Sequence, residues 1–166
     1  MNKVLLVTGG SRGIGAATAL LAAQNGWSVA VNYTANSLAA DEVVRQIRAS
    51  GGQAMSVQAD VAEEDQVLRM FEHIDAKLGR LSGLVNNAGV AVFKPLLAHS
   101  AQEWQRVIDV NLTGAAYFAR TGQDGLVALE ARGLEQPEIG GHDRTHGELD
   151  DVAGHREVVE PGRVVT

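Results

Sequence analysis

A chain of 166 residues that is 45% hydrophobic and has no cysteine fits a single domain with a substantial core, and excludes disulfides and thiolate metal sites. No apolar run approaches the ~20 residues of a membrane span, and Met1 leads straight into a strand-like segment without a signal-peptide pattern, so neither insertion nor export is expected and the cytoplasm is the default. The net charge of −6 resides wholly in the tail, because residues 1–120 carry ten acids against ten Lys/Arg while residues 121–166 carry ten acids against four arginines; neither part offers the basic face that a nucleic-acid partner requires.

In chain order, Lys3–Val7 reads as a buried strand and residues 12–25 as an Ala/Leu-rich helix stopped by Gly26. Residues 27–32 form the second strand. An amphipathic helix follows over 37–50, with Leu38, Val43, Val44 and Ile47 spaced for one face and Gly51-Gly52 at its end. Ala54–Gln58 is a third strand, 63–78 a third helix with Val67, Leu68, Phe71 and Ile74 inward, and 84–86 a fourth strand. After a loop, Ser100-Ala-Gln-Glu103 has the form of a capping box and opens a helix running to about Ala119. Short β-branched runs alternating with helical patterns predict an α/β fold with a parallel sheet flanked by helices.

From Thr121 the pattern stops. Eight glycines and 14 charged residues are spread over the last 46 positions, which contain no aromatic residue and no Ser, Lys, Asn or Met. Residues 125–134 are the one candidate for a short helix. Beyond them too few apolar residues remain to offset the entropy of ordering, so poor order is expected, and the chain divides into a domain over 1–120 and a tail over 121–166. Every residue type in the tail has GC-rich codons available, a composition that suggests out-of-frame translation or a spliced-on terminus. Reading the coding DNA beyond Arg120 in the other frames tests that origin. His142 and His146 stand at helical metal-binding spacing, but Gly140, Gly141 and Gly147 oppose a helix there; they are read as solvated and no metal site is expected.

The strongest local signal is Thr8-Gly9-Gly10-Ser11-Arg12-Gly13-Ile14-Gly15, placed between a buried strand and a helix. Glycines there permit a tight turn and let the backbone approach a pyrophosphate, while the helix N-terminus supplies amide donors and a favourable dipole. The segment resembles the Thr-Gly-x-x-x-Gly-x-Gly motif of the short-chain dehydrogenases/reductases. Three further matches stand in that family's order. Asp60-Val61 resembles its acidic contact to the adenine ring, and Asn86-Asn87-Ala88-Gly89 its Asn-Asn-Ala-Gly motif beside the cofactor. Asn111 in Val110-Asn111-Leu112-Thr113-Gly114 resembles the helical asparagine of its catalytic tetrad. Taken singly, Asp60 also suits a loop cap, Asn86 and Asn87 ordinary turns, and Asn111 a satisfied polar residue in a helix. The joint order of the four carries the resemblance.

The resemblance implies a Rossmann-type sheet in the order 3-2-1-4, and a nicotinamide cofactor held by Thr8, Gly9, Ser11, Arg12, Gly13, Ile14, Gly15, Asn32, Tyr33, Asp60, Val61, Asn87, Ala88 and Gly89. It also implies a small carbonyl or alcohol substrate, and oligomers are common in the family. NADP(H) is expected over NAD(H). The second strand ends Val31-Asn32-Tyr33-Thr34 with no acid before Asp41 to bind a ribose hydroxyl and repel a 2′-phosphate, and Arg12 offers a forked cation to that phosphate.

Of the tetrad the resemblance retains only Asn111. Proton transfer in the family uses a tyrosine whose pKa is lowered by a lysine four residues on, with a serine on the substrate oxygen. Here Tyr33 is followed at that spacing by Ser37 and Tyr117 by Thr121; the last lysine is Lys94 and the last serine Ser100. The expectation is an oxidoreductase by descent, truncated ahead of its proton-transfer residues and inactive as this polypeptide. The alternatives are a non-catalytic dinucleotide-binding protein and a non-functional fragment. The fourth strand is expected to be an unpaired edge, with only residues 158–165, broken by Pro161, as a β-rich candidate to cover it. The loop over 90–97 is expected to border the active site as an apolar neighbourhood.

Overall fold

The computed structural model describes residues 3–121 and 127–128, within a compact unit spanning Met1–Arg132. The expectations for the tail's order, its histidines and residues 158–165 lie outside the described residues.

Lys3–Val7 (β1), Trp27–Tyr33 (β2), Ala54–Gln58 (β3), Gly83–Val85 (β4) and Val127–Ala128 (β5) form a parallel sheet in the order β3-β2-β1-β4-β5. Helices Gly13–Gln24 (α1), Ser37–Ala49 (α2) and Glu64–Leu78 (α3) alternate with the first four strands. Ala101–Ile108 (α4) and Gly114–Thr121 (α5) follow β4. Successive side chains of a strand point to opposite faces. Leu5 and Val7 accordingly join Val29, Val31, Ala19, Val43, Val44 and Ile47 in one core cluster, the side of α1 and α2. Val4 and Leu6 join Ala30, Val67, Met70, Ile74 and Phe118 in a second cluster, the side of α3 and α5. Both faces of β1 are covered, which is why residues 4–7, past the exposed Lys3, are an unbroken apolar run with no polar alternation. Among the described residues no helix is long and apolar enough to cross a membrane.

Several expected boundaries move for identifiable reasons. Arg12 precedes the first helix, with an extended backbone (φ −158°, ψ 170°), and helical geometry begins at Gly13. Leu38 is 82% exposed and Leu68 46%, against the expectation that both point inward. At 100° per residue the buried stripe of α2 runs Ala40, Val43, Val44, Ile47, and that of α3 runs Val67, Met70, Ile74, Leu78; Leu38 and Leu68 fall off those stripes. The fourth strand is Gly83–Val85, since Asn86 and Asn87 leave the ladder. The helix expected from Ser100 to about Ala119 is interrupted by a π turn over Asp109–Thr113, closed by the Gly114 N–H donating to the Asp109 carbonyl.

The edge expected to be open at β4 is instead paired, because Gly83 and Leu84 register with Val127 and Ala128. This also corrects the short helix expected over 125–134, at these two positions. A short apolar run such as Leu126-Val127-Ala128-Leu129 reads equally as helix or strand from periodicity, and the unpaired backbone groups of β4 decide between them.

The capping box at α4 forms as expected. Ser100 Oγ accepts from the Glu103 N–H at 3.2 Å, and Glu103 Oε2 accepts from the Ser100 N–H at 2.8 Å. Lys94 Nζ adds a 2.5 Å contact to the same carboxylate oxygen. Lys94 foremost, then the Ser100 N–H, lowers the Glu103 pKa from 4.5 to about 2. A depressed carboxylate stabilises the fold fully above its unfolded value and loses that contribution as pH falls through the folded value. The cap should therefore survive from pH 6 to below pH 4 and fail as pH approaches 2. Following the Glu103 carboxyl carbon by NMR should give a midpoint well under 4; a midpoint at 4.5 would mean the Lys94 contact is not made.

Candidate functional site

β1 delivers Thr8 to the carboxyl edge of the sheet, where its hydroxyl ties the glycine turn to the segment after β4 by three hydrogen bonds. Thr8 Oγ1 donates to the Val85 carbonyl at 3.2 Å and accepts from the N–H groups of Asn87 at 2.9 Å and Ala88 at 3.0 Å. Asn87 returns the contact, its Nδ2 donating to the carbonyls of Thr8 at 2.9 Å and Gly9 at 3.1 Å. From the other side Asn32 Oδ1 accepts from the Gly9 N–H at 3.2 Å, while Asn32 Nδ2 donates to the Ala59 carbonyl at 3.0 Å.

These bonds fold the glycine segment tightly. Gly9 has φ +61°, which a side chain rarely adopts. Gly15 lets α1 press on the turn: a Cβ there would lie 2.5 Å from both the Gly9 carbonyl oxygen and Asn87 Nδ2. Arg12 contributes no side-chain cap and the first turn of α1 holds no acid, so the leading amides and the positive end of the helix dipole are left for an anion.

A cleft of about 680 Å³ opens beside this helix end. It brings together Gly9, Ser11, Arg12, Gly13 and Ile14 of the turn, Tyr33 at the end of β2, Asp60-Val61 after β3, and Asn87-Ala88-Gly89 after β4. Thr8 and Asn32, both 1% exposed, and the buried Gly15 lie beneath the cleft and shape it without lining it. Asn111 is exposed and does not line it either. Its Oδ1 accepts from the Val90 N–H at 2.9 Å and its Nδ2 donates to the Val90 carbonyl at 2.8 Å, pinning the loop expected to border the site; Val90 itself lines the cleft. Phe93 and Leu97 of that loop are almost wholly exposed.

Sequence reasoning missed Thr34, Ala35, Asn36, Val110 and Arg106, which also line the cleft. Residues 34–36 were findable, since ligands of open α/β sheets sit beyond the carboxyl ends of strands. Arg106 carried no local signal. It reaches across 46 positions to place Nη2 2.7 Å from Asp60 Oδ2. A larger open groove of about 1010 Å³ beside β3 gathers none of the expected residues, and Arg48 in it is occupied by two hydrogen bonds to the Ala54 carbonyl. Chemistry, not volume, selects the smaller cleft.

A tight turn at the carboxyl end of the first strand, a bare helix N-terminus and a cleft across the strand ends are the features that suit a dinucleotide's pyrophosphate. The parallel sheet in the order 3-2-1-4 with helices on both faces defines a Rossmann-type α/β protein. Residues 3–133 match the family model described as short chain dehydrogenase, and the chain belongs to that family. It is 51% identical over 112 residues to a 3-oxoacyl-acyl-carrier-protein reductase of Synechocystis, covering 68% of this chain and 45% of the relative. It is 49% identical over 116 residues to an uncharacterized oxidoreductase of Escherichia coli, covering 69% and 46%. A dehydrogenase/reductase structure from Sinorhizobium meliloti superposes with a TM-score of 0.72 at 34% identity, covering 75% of this chain and 49% of that one. A mutant short-chain dehydrogenase/reductase of Serratia marcescens gives 0.71 at 30%, covering 75% and 51%. The chain thus spans about half the length of the curated relatives it matches. The family consists of oxidoreductases that bind nicotinamide dinucleotides.

Asn32 offers a direct check on the scaffold beneath the cleft. In Asn32→Asp one oxygen would still accept from Gly9, but the other would face the Ala59 carbonyl, leaving a buried charge unpaired. The expected loss at pH 7 is about 3 kcal/mol in urea unfolding. A variant within ~0.5 kcal/mol of the parent, the range of an ordinary surface change, would show that Asn32 is not buried against that carbonyl.

Proposed function

We propose that the cleft holds a nicotinamide dinucleotide, NADP(H) in preference to NAD(H), as the cofactor half of an oxidoreductase that interconverts a ketone and an alcohol. The observation that carries this reading is the bare amino end of α1 opening, through a glycine turn, onto a cleft that Arg12 lines. Gly9, Ser11, Gly13 and Ile14 would meet the pyrophosphate with backbone groups, on the footing supplied by Thr8 and Gly15. Asp60 and Val61 would meet the adenine, and Asn87, Ala88 and Gly89 the nicotinamide side. Tyr33 closes the end of β2, and Asn32 holds the turn from beneath.

The NADP(H) preference rests on charge. Tyr33, Thr34, Ala35 and Asn36 line the cleft where β2 ends, and none is an acid. Arg12 is exposed and takes part in none of the ion pairs among the described residues, so its planar fork is available to a 2′-phosphate.

The bound cofactor would supply the hydride donor or acceptor. The chain's own contribution is to bind it, orient it and fix the neighbouring loop through Asn111 and Val90. Asn111 is assigned the family's tetrad position, with residues 1–120 as the cofactor half and 121–166 as a tail from which Val127–Ala128 add a strand to its sheet. The 166-residue polypeptide contains no Tyr-x-x-x-Lys pair, and we assign it binding without turnover. The names of several relatives make a 3-oxoacyl thioester the first substrate to try against that assignment.

Titration of the purified chain with NADPH and NADH, read by nicotinamide fluorescence and a thermal melt, tests the reading. Saturable binding with a raised Tm and tighter NADPH is expected. Arg12→Ala should weaken NADPH by roughly 10–100-fold, the worth of a hydrogen bond to a charged group, and leave NADH nearly unchanged. Absence of saturable binding by either cofactor refutes the assignment, and equal weakening of both by Arg12→Ala refutes the role given to that residue.

A further inference from the structure

We infer that Arg106 is a positioning residue for purine recognition: it holds the Asp60 carboxylate in the orientation that selects adenine at the far end of the cleft. This rests on the dinucleotide reading of the cleft and goes beyond it, because Arg106 belongs to none of the motifs that suggested that reading.

Asp60 is held at four atoms. Its N–H donates to Gln66 Oε1 at 2.9 Å, and its carbonyl accepts from the Glu63 N–H at 3.1 Å. Oδ1 accepts from the Ala62 N–H at 3.0 Å. These three contacts are local and fix the backbone and one carboxylate oxygen. Oδ2 takes the 2.7 Å contact from Arg106 Nη2, which arrives from the last turn of α4. Without that contact only the Ala62 N–H resists rotation of the carboxylate about its Cβ–Cγ bond, and the backbone contacts keep the loop in shape if that one bond gives way. With it, both oxygens are committed and each keeps a lone pair in a fixed direction. Asp60 and Arg106 both line the cleft, with side chains 20% and 43% exposed, so the pair is a wall of the site and not a remote tether.

Charge supports the same role. An unpaired carboxylate facing a bound polyanion would repel it, whereas Arg106 cancels Asp60 at short range and leaves its acceptor function. A carboxylate is acceptor-only. It takes a hydrogen from the 6-amino group of adenine and opposes the 6-oxo group of hypoxanthine, and the two dinucleotides differ only along this edge of the base, at C6 and at the adjoining N1, which carries a hydrogen in hypoxanthine alone. The discrimination between them therefore reports the aim of the Asp60 oxygens separately from the phosphate contacts.

The test compares Kd for NADPH and for its hypoxanthine analogue, deamino-NADPH, on the full chain and on Arg106→Gln, Arg106→Lys and Asp60→Asn, each checked for an unchanged circular dichroism spectrum. The parent chain should prefer NADPH about tenfold, as expected for one hydrogen bond to a charged group. Arg106→Gln should bring the ratio toward one, and Arg106→Lys should keep most of it. The double variant Arg106→Gln/Asp60→Asn should discriminate no worse than Asp60→Asn alone, because the two residues act through one contact. A parent that discriminates while Arg106→Gln keeps the full ratio, or loses both ligands by one factor, overturns the inference and leaves the cofactor reading standing. A parent that binds neither ligand overturns the cofactor reading and this inference with it. Should Arg106→Gln unfold, Arg106→Met takes its place, removing the charge and keeping the aliphatic stem: a full ratio there alongside a collapsed one in Asp60→Asn would assign the selection to Asp60 alone.

Discussion

Past Val7 two parallel strands make a last backbone bond, from the Thr8 N–H to the Val85 carbonyl at 3.0 Å, and are joined from there by side chains. The register of β1 with β4 ends at Val7 opposite Val85. Beyond it the Thr8 hydroxyl accepts two backbone N–H groups of the opposite segment, and the Asn87 amide closes on two carbonyls of the glycine turn. Asn32 holds the turn from β2. Thr8 and Asn32 are buried and their partners Gly9, Asn87 and Ala88 half-buried, and a buried polar group left unpaired would cost about 1–3 kcal/mol. The network therefore settles where the turn, the loop after β4 and the end of β2 lie relative to each other. Those three segments form most of the cleft wall.

The cleft inherits its polarity from the same arrangement. Gly15 allows α1 to stand against the turn, so its unsatisfied amides face the space between the strand ends, an anion's environment built without any lysine. Arg12, Arg106 and Asp60 are the charged residues that line it among the described residues. The two arginines are in different states. Arg12 is uncommitted among the ion pairs of the described residues, while Arg106 is bound to Asp60. One cation is free to meet a ligand's charge and the other neutralises an acid that would oppose it.

The loop after the Asn87 segment is anchored from the π turn and from α4. Asn111 makes two hydrogen bonds to the Val90 peptide, and Glu103 takes Lys94. An α-helix kept in strict register from Ala101 to Thr121 would place Asn111 on a different bearing; the wide turn over Asp109–Thr113 sets it toward the loop while Val110 and Phe118 remain in the core. π turns of this kind commonly occur at functional sites.

Element types along the first 120 residues were legible in the sequence because each carried its own period, and the glycine turn was legible because only glycine suits Gly9 and Gly15. Asn87, Asp60 and Asn111 could be picked out by order and spacing. What each would touch could not be read, and Asn111 on Val90 and Asp60 on Arg106 both span more than 20 positions. Val127–Ala128 shows the same division. Its residues fit helix or strand equally, and pairing with β4 made it a strand. By itself the sequence determined local periodicity, turn chemistry and family membership, since these depend on residues within a few positions of one another. The tertiary structure alone decided which polar groups meet, because partners distant in sequence become neighbours only when the sheet and helices pack, and the groups buried there, such as Asn32, must be satisfied by whatever the fold brings near.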